Sequence, residues 1–113
     1  MLPKPLVAAS LEPLVLGLLG QGETYGYAII QEIQRLSGGR LTYTANKLYP
    51  LLHKLENNGL VAAVWRDGGP GPGRKYYHLT PKGEQALART KQDWLAVNGI
   101  LAQIWGTDLA LGT

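Results

Sequence analysis

The chain has 113 residues, 45% of them hydrophobic, and a net charge of +3. That length holds one core in one domain, and that apolar fraction makes the chain globular rather than disordered. It has no cysteine, which excludes a disulfide framework, thiol chemistry and thiolate zinc sites. The apolar run Leu14–Leu19 stops at Gly20, far short of a membrane span. The opening Met1–Pro5 carries one cation and two prolines and does not read as a signal peptide. A cytoplasmic location is expected.

Ser10 is placed to cap a first helix over Leu11–Leu19 that ends at Gly20, with Pro13 in its first turn. Leu14, Val15, Leu16, Leu18 and Leu19 make it apolar almost all round, so it should be central. Gln21–Thr24 reads as a turn, with Thr24 as cap of a second helix. Ile29, Ile33 and Leu36 follow at i, i+4 and i+7, before a stop at Ser37-Gly-Gly39.

Thr44 is predicted to cap a third helix that ends at Gly59. Leu48, Leu51, Leu52 and Leu55 recur at i, i+3, i+4 and i+7, which puts them on one face. The other face carries Asn46, Lys47, Pro50, His53, Lys54 and Asn57, with two cations, two amides, an imidazole and no acid. Pro50 removes one backbone hydrogen bond and can bend the axis, yet the leucine stripe continues in phase across it.

Leu60–Arg66 and Arg74–Leu79 read as two strands joined by the glycine- and proline-rich turn Asp67–Gly73. Trp65 is expected in the core, and of Tyr76 and Tyr77 at most one, because they face opposite sides of a strand. Thr80-Pro81 opens a last helix running to about Trp105. The expected fold is mainly α with a small β-hairpin: a winged helix-turn-helix over 1–79, then a dimerisation helix and tail over 80–113.

A helix anchored on one side and offering amides and cations on the other suits a DNA groove. Asn46, Lys47 and His53 are the candidate base readers, and Thr44 and Lys54 the candidate phosphate contacts. Tyr43 and Tyr49 flank this helix and can either donate to phosphates or bury their rings. Arg74 and Lys75 are placed to reach the flanking backbone or minor groove from the hairpin. The stretch Gly68–Lys75 lacks the Gly-Lys-Ser/Thr ending of a phosphate loop and is followed by a strand, so nucleotide binding is rejected. His53 and His78 lie on different elements, and no nucleophile elbow, carboxylate pair or metal-ligand spacing occurs. The chain is therefore not expected to be an enzyme, and no metal or cofactor is expected.

In the last helix, Leu87, Trp94 and Leu101 occupy heptad position a, and Thr90, Val97 and Ile104 position d. This seam can fold back on its own domain, bind another protein, or pair with a second copy. A two-fold operator needs two linked half-sites, which favours the homodimer. Trp94 can be a plain packing anchor of that seam.

The ordered motifs Leu14–Leu19, Tyr25-Gly-Tyr27, Leu48-Tyr-Pro-Leu-Leu52, Leu55-Glu56, Gly59-Leu-Val61, Arg74-Lys-Tyr-Tyr77 and Leu79-Thr80 with Gly83 cover roughly residues 11–90. In these motifs the chain resembles the PadR family of bacterial transcription regulators, in its short subgroup with a single carboxy-terminal helix. The resemblance implies a homodimeric repressor of a palindromic double-stranded DNA operator, with no membrane partner. It also implies a pore between subunits in which Trp94, with Val97, Asn98 and Leu101, stacks on a planar apolar small molecule, a multidrug-type site. Lys47 departs from the family pattern, where a small hydroxyl residue is usual before Leu-Tyr. Two other classes compete with this reading. One is a winged-helix protein-interaction or small-molecule-sensing module without a DNA target; the other is a ligand-binding protein without regulation.

Overall fold

The computed structural model describes residues 1–67, 71 and 73–107. Helix α1 (Lys4–Gln21) starts nearly two turns earlier than its hydroxyl signal suggests. Pro5 sits in its first turn, where the missing N–H costs nothing. Ser10 is therefore inside the helix and donates back to the Leu6 carbonyl instead of capping. Pro13 likewise lies inside, tolerated at the cost of one ladder bond. The helix runs through Gly20 and stops at Gly22, whose φ of 155° suits a residue without a side chain. Val15, Leu16 and Leu19 are buried, and α1 meets α2, the sheet and the last helix, the central position its composition predicts.

Thr24 and Tyr25 form a short strand, β1, that sequence reading missed. Thr24 consequently does not cap α2 (Gly26–Leu36), whose N-cap position belongs to Tyr25. Ile29 and Ile33 are buried, whereas Leu36, at the end of the helix, is 60% exposed. Gly38 and Gly39 take left-handed φ values of 61° and 85°, and Ser37 Oγ accepts from Leu41 N at 2.9 Å, so the chain turns sharply.

Helix α3 (Ala45–Asn57) follows. Thr44 holds its N-cap position through its backbone carbonyl, while its hydroxyl makes no capping bond. Leu48, Leu52 and Leu55 are buried and Leu51 is half-buried, so the stripe across Pro50 is intact. Gly59, at φ 75°, lets Leu60 N donate back to Leu55 O at 2.9 Å and closes the helix.

Strands β2 (Val61–Arg66) and β3 (Arg74–Leu79) pair antiparallel, and β3 also pairs with β1, giving the order β1-β3-β2. Tyr77 is buried and Tyr76 half-buried on the opposite face. Trp65 is 70% exposed and does not belong to the core: β2 extends past the helices that cover Val61. Most of the turn expected at Asp67–Gly73 (Gly68, Gly69, Pro70 and Pro72) lies outside the described residues, as does the tail beyond Thr107.

Helix α4 (Pro81–Trp105) is capped by Thr80, whose Oγ1 accepts from Gly83 N at 3.1 Å. Its first turns lie on α1 and β3. Beyond them Leu95, Val97, Ile100, Ile104 and Trp105 are all more than half exposed. The described residues extend 53 Å in their longest dimension and 25 Å in their shortest. A helix of this length spans about 37 Å and accounts for much of that elongation.

Candidate nucleic-acid interface

The α3 face opposite the leucines is open. Thr44, Asn46, Lys47, Pro50, His53, Lys54 and Asn57 are all exposed on it. Glu56, the nearest acid on the helix, is half-buried and turned to Lys75, with 3.4 Å between Nζ and Oε1. The first-turn N–H groups add partial positive charge beside Asn46 and Lys47. Lys54 lies 3.7 Å from Glu12 of α1, and both side chains are exposed. Such a pair contributes about 0–1 kcal/mol and leaves the ammonium available to another anion.

Two residues predicted for this interface are engaged within their own domain. Tyr43 is 5% exposed, and its hydroxyl donates to the Val7 carbonyl of α1. Burial also pushes its phenol above the ordinary tyrosine range. It anchors the turn before α3 and has no hydroxyl free for a phosphate. Lys75 is drawn inward by Glu56 and lies 5.4 Å from the centre of the Tyr77 ring. Tyr49 is 38% exposed, but its hydroxyl sits directly over Gly26, where any side chain would collide with it. That close approach is the physical reason for glycine at the start of α2.

The outer face of the hairpin carries a stack that sequence reading missed. Tyr25 and Tyr76 meet edge to face at 5.2 Å between ring centres. The Arg74 guanidinium lies 4.8 Å from the Tyr25 ring and that of Arg66 5.9 Å from the Tyr76 ring. Arg66 also holds Glu23 in a two-pronged pair, with Nη2 3.0 Å from Oε2. Its hydrogen bond keeps the Glu23 carboxyl below the usual carboxylate range, so the pair persists as pH falls toward that range and is lost below it. Sequence contains the aromatic and cationic residues but not the register that brings Tyr25 opposite Tyr76.

On α4, Thr90, Trp94, Asn98 and Leu101 are half-buried, while Val97 and Ile104 are exposed. Leu87, the first position of the predicted seam, is turned into its own domain instead, where Cδ2 fills the space left by Gly20 of α1. The exposed apolar surface is also wider than the heptad, because Leu95 and Ile100 stand outside positions a and d. An apolar groove of about 490 Å³ opens beside this helix, between α1, the end of α2 and Leu87. Among the described residues no group of His, Asp or Glu could hold a metal ion, and no helix is long and apolar enough to cross a membrane.

Two helices joined by a tight turn, the second with a free polar face, followed by an antiparallel hairpin, define a winged helix-turn-helix protein. Residues 15–89 match the Transcriptional regulator PadR-like family, and the chain belongs to it. It is a transcriptional regulator and not an enzyme. A PadR-like transcription factor from Bacteroides fragilis is 36% identical, with 86% of this chain and 91% of that one covered and a TM-score of 0.71. The crystal structure of Bacillus subtilis PadR in complex with operator DNA is 32% identical, with 76% and 45% covered and a TM-score of 0.64. The Bacillus subtilis negative transcriptional regulator PadR is 33% identical over 81 residues, 72% of this chain and 42% of that one. The chain thus spans less than half the length of the Bacillus subtilis protein.

Proposed function

We propose that the chain is a homodimeric repressor that reads a palindromic DNA operator with α3 of each copy. Residues 1–79 form the reading domain, and the helix from residue 80 onward pairs the two copies. The observation that carries this reading is the exposed, acid-free α3 face bearing Asn46, Lys47, His53 and Lys54, with Thr44 at its start and Tyr49 at its edge. Arg74 supports it from the hairpin. The names given to one relative, Bacillus subtilis PadR, a negative transcriptional regulator solved in complex with operator DNA, agree with it.

Lys47→Ala is expected to weaken operator binding and to reduce the magnitude of the salt slope by about 0.9 if the lost contact is to a phosphate. Asn46→Ala is expected to cost about 1–3 kcal/mol and to relax base preference at one operator position. Footprinting on the chain's own upstream region supplies the operator, and titration over a range of salt supplies the slopes. Binding and slope unchanged in both variants would remove α3 from the interface.

Regulation by a planar apolar ligand is the second half of the proposal. It rests on Trp94, half-buried, with Asn98 one turn on and Val97 and Leu101 beside it. A flat aromatic dye is expected to quench tryptophan emission in the wild-type chain but not in Trp94→Phe. Trp65 and Trp105 supply the constant background. Equal quenching in the two proteins would rule this site out.

A further inference from the structure

Trp65 is the largest apolar side chain that the reading domain leaves uncovered, and its position is specific. Val61, Ala63 and Trp65 share one face of β2, opposite Leu79, Tyr77 and Lys75 of β3. Exposure rises along that face, from buried Val61 through half-buried Ala63 to Trp65 at 70%. Lys75, directly across from Trp65, reaches Glu56 of α3, so this face of the hairpin looks toward the reading helix. The six-membered ring of the indole lies 3.9 Å from the point where a side chain at Gly73 would begin, so the ring leans toward the tip of the wing.

The surroundings narrow the kind of surface that can meet this indole. Of the four charged residues between Arg66 and Lys75, three are cations (Arg66, Arg74 and Lys75) and one, Asp67, is an acid. Arg66 and Lys75 are held by Glu23 and Glu56, so Arg74, on the opposite face of the hairpin, is the cation this strip offers to an anion. A partner that meets both Arg74 and Trp65 must carry an anionic group beside an apolar face for a flat ring. A duplex backbone does both, with phosphates beside the exposed carbon faces of deoxyribose. Tryptophan is also among the residue types that carry binding energy when a surface buries them.

We propose that the Trp65 indole packs against the sugar edge of the duplex flanking the groove entered by α3, a grip independent of base sequence. This rests on α3 being a DNA reader. The contact neutralises no phosphate, which separates it from the contributions of Arg74 and Lys47.

The test uses the full chain, wild type beside Trp65→Ala and Trp65→Phe, titrated with a mixed-sequence duplex at low and moderate salt. Trp65→Ala is expected to weaken binding by about tenfold, the worth of roughly 55 Å² of apolar surface taken out of water, with the salt slope unchanged. Trp65→Phe should keep most of the affinity. In the wild-type chain, the emission that Trp65→Phe lacks should become shielded from acrylamide when duplex is added. That measurement decides the matter even if the alanine variant folds poorly. Equal affinity of wild type and Trp65→Ala, an altered slope, or unshielded emission would overturn this contact and leave α3 as reader. A wild-type chain that binds no duplex at low salt would overturn both.

Discussion

Val97→Asp combined with Ile104→Asp is expected to leave the domain folded but monomeric and to lower operator affinity by about 10²–10⁴, the usual worth of a second linked binding event. Both side chains are exposed, at 53% and 75%, so a carboxylate at either position disturbs nothing within the protomer. In a dimer seam the same carboxylates would be desolvated without partners, a cost of several kcal/mol each. The exposed belt also includes Leu95, Ile100 and Trp105, too broad for a single a/d stripe and suited to a helix touched by more than one element of its partner. Sedimentation and operator titration on the same samples test the point. A wild-type chain that sediments as a monomer at concentrations saturating the operator would refute the proposed assembly.

The second large effect concerns stability. Gly83→Ala is expected to destabilise the fold by roughly 3 kcal/mol, at the upper end of overpacking costs. Gly83 is buried in the first turn of α4, and a methyl group there would overlap the Leu60 carbonyl oxygen. That oxygen cannot withdraw easily, because it accepts from Thr80 N at 3.1 Å and from Thr80 Oγ1 at 3.2 Å. The obstacle is backbone, so no rotamer change relieves it. Alanine recovers about 1 kcal/mol of helix propensity, which is less than the overlap costs. At about 4–8 °C per kcal/mol in a domain near this size, the thermal midpoint should fall by roughly 12–24 °C. Gly99→Ala on the same helix, where nothing lies within 4 Å of the added carbon, is the control and should not lower stability. Equal midpoints for Gly83→Ala and wild type would show that the Leu60–Thr80 junction yields.

Much of this fold can be read from residue spacing. The leucines of α3 repeat at helical period, and the structure buries them as a stripe despite Pro50. The hairpin is visible as two alternating runs around a glycine-proline turn. The failures share a cause. Ser10 and Thr24 are good capping residues, but Pro5 provides an earlier start for α1, and pairing with β3 makes Thr24 part of a strand. Hydroxyl preference is local, and tertiary context overrides it. A tryptophan in a strand suits the core, yet the sequence does not say where the layer covering that strand ends, and Trp65 lies beyond it. Spacing leaves Tyr43 open between donating to a phosphate and burying its ring, because the hydrogen-bond partner that decides it is 36 residues away. For the candidate interface, spacing gives the composition of the α3 face, while the inward turn of Lys75 depends on a register that only the folded sheet supplies.

The tether between Tyr43 and Val7 has a mechanical consequence. It fastens the opening turns of α1 to the residue just ahead of the Thr44 cap. In the proposed dimer, strain at the α4 seam would reach α1 through the packing of the two helices and pass to the groove-entering segment through this one tether. The separation of the two reading helices would then be a property of how the twin subunits sit together, and anything wedged between them would be sensed at the duplex.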